Sequence, residues 1–277
     1  MTRSSPARAL LAILIGIPAL PAHAGDANTD QPPRAAIDSL LGSKTEVTVG
    51  VALSAATRYP GADTGSVLRP IPVLSIQRGV LFADTTRGAG LQYQSSTGFY
   101  ISQSFSYDRG RLERNSGWRP GSSRLAGMGD VPGSPTARTL IAQQLQPWLT
   151  ASAEMELALR DDARRNRYRT GVELVPLRSA ADIIAVDIDA WWGDGRYNQA
   201  YFGVTPAQAA QTRFAVAHPG SGMYVRSAGL SWEHHLDAHW SSTLQLTITR
   251  YVGDVSDSPV VARRTSAGAT AAITYSY

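Results

Sequence analysis

The final ten residues, Gly268 to Tyr277, read GATAAITYSY and do more than any other segment to limit what this chain can fold into. Ala269, Ala271, Ile273, Tyr275 and Tyr277 share one face of a two-residue period, with Gly268, Thr270, Thr274 and Ser276 mainly opposite, and the run stops on an aromatic. A strand that is apolar on one side and small or polar on the other suits the closing strand of a membrane barrel, because lipid touches one face and the lumen the other. A soluble β-sandwich strand reads the same way, so the rest of the chain has to decide.

The opposite end points to export. Arg3 and Arg8 precede an apolar run from Ala9 to Leu20, and Ala22-His23-Ala24 supplies the small-x-small cleavage pattern of a secretory leader. Residues 1–24 are therefore expected to be a signal peptide, with Gly25 beginning the mature chain. A helix needs roughly 20 apolar residues to cross a bilayer, and no segment reaches that without charges or prolines. If the mature protein spans a membrane it does so as a closed barrel, the other architecture that satisfies every backbone group in lipid.

Composition agrees. Of 26 basic and 22 acidic residues, Arg3 and Arg8 lie in the leader, so the remainder is almost balanced and carries no nucleic-acid footprint. The absence of cysteine rules out disulfide scaffolds and cysteine-based metal sites. Neither a cofactor nor a metal is expected. Residues 25–44, with paired prolines and no alternation, read as a periplasmic lead-in with a short turn at Ala35 to Leu41. The barrel is assigned to residues 45–277.

Alternating segments near 46–56, 68–77, 80–86, 89–95, 98–108, 136–146, 148–160, 166–177, 182–192, 223–236, 240–251 and 267–277 predict an all-β, antiparallel up-and-down transmembrane barrel of about twelve strands. An even count puts both termini on the periplasmic side. Long connections at 57–67, 109–135, 193–222 and 253–266 alternate with short ones, as bacterial barrels require. In 148–160, Leu149, Ala151, Ala153, Met155, Leu157 and Leu159 oppose Thr150, Ser152, Glu154, Glu156 and Arg160. A charge facing hydrocarbon at the midplane costs about 2–4 kcal/mol, so the polar face points inward. Trp148, Trp191, Trp192, Trp232, Trp240 and Tyr251 stand near strand ends, where aromatic girdles form.

Several blocks resemble the MipA/OmpV family of outer-membrane proteins. They are Val49–Tyr59 with Pro60-Gly61-Ala62-Asp63, Leu68–Ser75, Gly127-Met128-Gly129-Asp130, Tyr201–Ala210, Gly253-Asp254 and Asp257–Val261, in family order. YFGVT-x-x-QAA is the most specific. The resemblance implies an outer-membrane barrel of a Gram-negative cell surrounded by lipid and lipopolysaccharide. It also implies a scaffold between a lytic transglycosylase and a murein synthase, or a porin-like role, and it supplies no catalytic residues.

The charged residues of the lumen are the candidate site: Glu154, Glu156, Arg167, Arg169, Glu173, Asp187 and Asp189. With hairpins centred near 163–164 and 180, Glu154, Glu173 and Asp187 would be neighbours on three strands, with Arg160, Arg167 and Arg169 above and Asp189 beside them. Clustered carboxylates in a water-filled pore select cations; ion pairs bracing a narrow interior are the competing reading. Enzymatic readings lack a constellation. His218 has no serine or carboxylate motif around it, and His234 and His235 point to opposite faces, so they cannot share a metal in regular geometry. Asp161, Asp162, Arg164 and Arg165 read as a solvated loop cluster. Trp191–Arg196 is glycine-rich but expected to run from strand to loop, not strand to helix, which argues against a phosphate cradle. Thr205–Thr212 reads as a capped helix that folds over the mouth or packs as a compact loop. The expected function is a non-catalytic scaffold at the cell envelope, with a narrow porin-like channel as the alternative and an outer-membrane hydrolase a third.

Overall fold

The computed structural model describes residues 41–42, 44–62, 66–160 and 166–277. The expected leader, nearly all of the lead-in and the Asp161–Arg165 cluster lie outside the described residues. Twelve strands form: β1 Thr45–Thr57, β2 Ser66–Arg78, β3 Leu81–Asp84, β4 Gly88–Gln94, β5 Phe99–Asp108, β6 Ser134–Gln146, β7 Leu149–Ala158, β8 Arg167–Arg178, β9 Asp182–Gly193, β10 Gly222–His235, β11 Trp240–Tyr251 and β12 Thr265–Ser276. Each pairs antiparallel with its sequence neighbours, and β1 pairs with β12 from Thr48↔Ser276 to Ala55↔Ala269, closing the barrel. The alternating C-terminal run is thus the closing strand.

The two-residue period sorts side chains as expected. Leu68, Phe105, Ile188, Leu246, Ile248 and Ile273 point outward and are exposed, while Gln245, Thr270 and Thr274 on the same or neighbouring strands are buried inside. In water such an apolar exterior would be an aggregation surface; around a closed barrel it is a lipid belt. Trp148, Trp232 and Trp240 stand exposed at strand ends, and Trp192 shares the outward face of Ile188. Trp191 and Tyr251 are the exceptions to the expected girdle. Both turn inward, Tyr251 is buried, and Trp191 packs against the same interior cluster. Their parity within β9 and β11 forces this, because their immediate neighbours Trp192 and Arg250 take the outer face.

The two ends differ. Connections 79–80, 95–98, 147–148, 179–181 and 236–239 make a turn end, and 58–65, 109–133, 194–221 and 252–264 a loop end. The long connections fold together. They contain helices α1 Gly195–Phe202, α2 Pro206–Gln211 and α3 Gly253–Ser256. Thr205 caps α2 by accepting from the Gln208 N–H at 3.2 Å, and the Gln208 side chain accepts from the Thr205 N–H at 2.8 Å, completing a capping box.

The hairpin of β3 and β4 is short. β3 pairs with β2 only over Ser75–Arg78, so among the described residues Ser66–Val73 pairs with β1 alone. On the facing side, β4 reaches only as far as Phe105 of β5, which continues to Asp108. The wall therefore has a notch in its loop-end half.

Candidate functional site: the lumen charges and the loop roof

The β7–β8 register decides the chemistry of the lumen. Glu154 lies directly opposite Arg169 and Glu156 opposite Arg167. The hairpin centres two residues before 163–164, a register shift of four that brings Thr150, and not Glu154, opposite Glu173. An even offset keeps every side chain on its face, so alternation is indifferent to it, while placing opposite charges across the ladder favours the observed register. The β8–β9 hairpin centres at 180 as expected, with Glu173 opposite Asp187.

The expected carboxylate cluster is consequently divided. Arg138, from β6, grips Glu154 with two bonds, Nε to Oε1 at 2.9 Å and Nη2 to Oε2 at 2.8 Å. Arg169 donates to the same Glu154 at 3.4 Å and to Asp189 Oδ1 at 2.8 Å. Arg167 donates to Glu156 Oε2 at 2.6 Å and lies 5.2 Å from the Trp191 ring. Glu154, Glu156, Arg169, Asp187 and Asp189 are all buried. Charges removed from water need such partners to be tolerated. Glu173 and Asp187 face each other outside this chain of ion pairs. Arg138 is the member that sequence reasoning missed. Its inward parity in β6 and its place opposite Glu156 were the available signal.

Above these charges the long connections build a roof with its own apolar core. Tyr59, Leu125, Met128, Val204, Phe214 and Val260 form one cluster, in which Leu125, Val204 and Val260 have no exposed surface. Tyr197, Tyr201, Phe202, Tyr224, Tyr251 and Val255 belong to a second, where the Tyr197 ring stands 5.0 Å from Tyr201 and 5.2 Å from Tyr224. Polar ties cross between connections. Arg111, 1% exposed, donates to the Tyr201 carbonyl at 2.5 Å, Tyr59 Oη donates to Val260 O at 3.2 Å, and Ser258 Oγ donates to the Phe202 carbonyl. Burial pulls the Arg111 guanidinium below its ordinary proton affinity, with the fields of Tyr201 and Tyr59 opposing that shift. Glu113 Oε2 accepts from the Gly127 and Gly129 N–H groups at 2.9 and 2.8 Å. These two glycines have φ of 89° and 74°, the left-handed region that lets the turn aim both amides at one oxygen.

The Trp191–Arg196 segment runs from strand into helix after all, since α1 begins at Gly195. The expected strand-to-loop reading missed this helix because its signal was a single residue, Asp194 at the N-cap. That carboxylate occupies the helix end itself, accepting from the Tyr197 N–H at 2.7 Å and the Asn166 N–H at 2.9 Å. Beneath the roof a cavity of about 350 Å³ remains beside β1, β11 and β12, lined by Ser54, Thr247, Thr249, Thr270 and Tyr251 among others.

The histidines lie apart. His218 is exposed in the 194–221 connection. His234 faces outward with Nδ1 2.8 Å from Asp182 Oδ1, which also accepts from Trp232 Nε1 at 2.9 Å. His235 faces inward, 2.9 Å from Ser241 Oγ. Among the described residues no group of three or more potential ligands that could hold a metal occurs.

An apolar outer belt, a polar lumen lined with ion pairs and a roof of packed loops define a membrane β-barrel of the outer-membrane class. The profile of MltA-interacting protein MipA matches residues 49–277, and the chain belongs to that family. No curated protein matches it. Among solved structures it is similar to OprB of Pseudomonas putida (8% identity, TM-score 0.41, covering 84% of this chain and 94% of that one). A bacterial polysaccharide outer membrane secretin aligns at 9% identity and TM-score 0.43, over 87% of this chain and 99% of that one. An outer-membrane channel from Pseudomonas putida F1 aligns at 12% identity and TM-score 0.42, over 84% and 95%.

Proposed function

We propose that this barrel is a non-catalytic scaffold of the cell envelope, closed to bulk solute, which presents its turn end to murein-remodelling enzymes. The observation that carries the reading is the roof. Side chains as deeply buried as Leu125, Val204 and Val260 belong to a packed core and not to a loop that leaves a pore open. The lumen below is lined on one side by the Arg138–Glu154–Arg169–Asp189 chain, which braces the neighbouring strands β6 to β9. The family's description as an MltA-interacting protein supports MltA as one partner, and the resemblance noted from the sequence adds a murein synthase as the second. In this reading residues 1–24 are removed on export, both ends of the mature chain face the periplasm, and residues 25–44 join the turns in contacting partners.

Crosslinking in the envelope, followed by purification of the tagged full-length protein and mass spectrometry, tests this. The scaffold predicts recovery of a murein hydrolase together with a synthase. Recovery of neither, together with measurable ion flux, favours the second reading, a narrow channel, which the cavity beside β1, β11 and β12 supports.

A further inference from the structure

The notch between β2 and β5 is bordered in an unusual way. Thr85 N–H donates to Leu74 O at 3.0 Å, and Leu74 N–H donates to Thr85 Oγ1 at 3.0 Å, so the even-numbered residues of β2 turn their backbone groups toward the notch. Pro70 and Pro72 belong to that set and bring no N–H to the edge. Prolines so placed keep another strand from docking, which leaves a non-peptide occupant. The bare edge from Ser66 to Pro72 is about 20 Å of strand. Unpaired carbonyls at hydrocarbon depth are tolerated only beside a protein-lined or water-filled space.

Three arginines gather at the notch, while the carboxylates on its borders are engaged elsewhere: Asp84 pairs with Arg87, and Asp108 accepts from Tyr201 Oη and the Gly110 N–H. Arg69 Nη2 donates to Arg58 O at 3.5 Å, Arg109 Nη1 donates to Trp118 O at 3.0 Å, and Arg69 lies within the fields of both Arg58 and Arg109. Arg69 Nε is buried with no hydrogen-bond partner. Among the described residues none of the three arginines forms an ion pair with a carboxylate. Outward on the flanking strands stand Leu68, Phe105 and Tyr107, exposed by 60%, 64% and 62%.

We propose that the notch is a lateral seat for an amphiphile with a phosphate head, the head on Arg58, Arg69 and Arg109 and the chain against Leu68, Phe105 and Tyr107. A guanidinium offers paired donors to phosphate oxygens, and the orphaned Arg69 Nε is one such donor. The proposal does not rest on scaffolding. The occupant is a lipid of the surrounding leaflet or a free alkyl phosphate, and both share this chemistry.

Native mass spectrometry of the full-length protein in dodecyl maltoside tests it, with lipid A, dodecyl phosphate and dodecyl phosphocholine as separate probes. One-to-one adducts are expected with a phosphate monoester probe and not with phosphocholine. Adducts with lipid A alone assign the leaflet as the source, and adducts with dodecyl phosphate as well assign a free amphiphile. The triple variant R58Q/R69Q/R109Q should weaken binding about tenfold or more, the loss of charge-assisted bonds, while R213Q/R250Q/R263Q should not. Equal binding by the two triple variants, or equal uptake of phosphocholine, overturns the proposal. Should the first triple variant fail to fold, a photo-crosslinking residue at Tyr107 keeps the test open. It should capture lipid A more efficiently than one at Ile248 on another face, and equal capture overturns the proposal.

Discussion

Asp189 lies across the β8–β9 ladder from Gly171, and a Cβ added at Gly171 would stand 2.1 Å from Asp189 Oδ1. The same relationship recurs one strand over, where Gly229 faces Asp187 and its Cβ would come 2.4 Å from Oδ2. Each missing side chain makes room for a carboxylate in the lumen. Gly171→Val should therefore displace Asp189 from Arg169 and destabilise the barrel by about 1–3 kcal/mol, the usual cost of overpacking. Urea unfolding followed by tryptophan fluorescence in detergent reads this; an unchanged midpoint would show that the pocket yields freely.

Glu154 holds Arg138 and Arg169 together, so its loss leaves two guanidinium groups short of a partner. Glu154→Gln should cost about 3–5 kcal/mol if both stay buried, and less where Arg138, one fifth exposed, regains water. A double-mutant cycle with Arg138→Gln should return a coupling of about 1 kcal/mol or more. Strict additivity would mean that the pair does not act as a unit.

The roof depends on residues distant in sequence. Leu125→Ala empties a site with no exposed surface and should cost about 2–5 kcal/mol of local stability. Hydrogen exchange should then rise in the 109–133 and 194–221 connections while β7 to β9 stay protected. Uniform acceleration across the barrel would contradict a separately packed roof.

The capping box makes a smaller and more local prediction. Thr205→Ala removes the acceptor for the Gln208 N–H and should destabilise α2 by about 1 kcal/mol. Faster exchange confined to 206–211 is expected, and no change there would mean that packing alone holds the helix.

Export has its own test. N-terminal sequencing of protein purified from the outer membrane should begin at Gly25, after Ala22-His23-Ala24. A product that retains Arg3 and Arg8 would remove the leader from the account.

Much of the wall was legible because a membrane barrel writes its faces at a period of two. Residues such as Leu244, Gln245 and Leu246 declare outside and inside without reference to any partner. Register was not legible at β7–β8, since shifting Glu154 from Glu173 to Arg169 moves the ladder by an even number and leaves the pattern intact. Of the roof, the Thr205–Thr212 helix was legible and the packed apolar core was not, for a different reason. Leu125, Phe202 and Val260 lie in stretches without periodicity, and only their meeting in space reveals a core. Pro70 and Pro72 inside a strand suit an unpaired edge, a signal that the sequence reading did not use and whose meaning needed the length of β3.

Planar-bilayer recording on the full-length protein reads whether the barrel is closed, because a packed roof over an ion-paired lumen should not conduct. The unmodified protein should show no stable unitary conductance at neutral pH, and openings should follow once Leu125→Ala and Phe202→Ala loosen the roof. A steady unitary conductance from the unmodified protein would contradict a closed barrel.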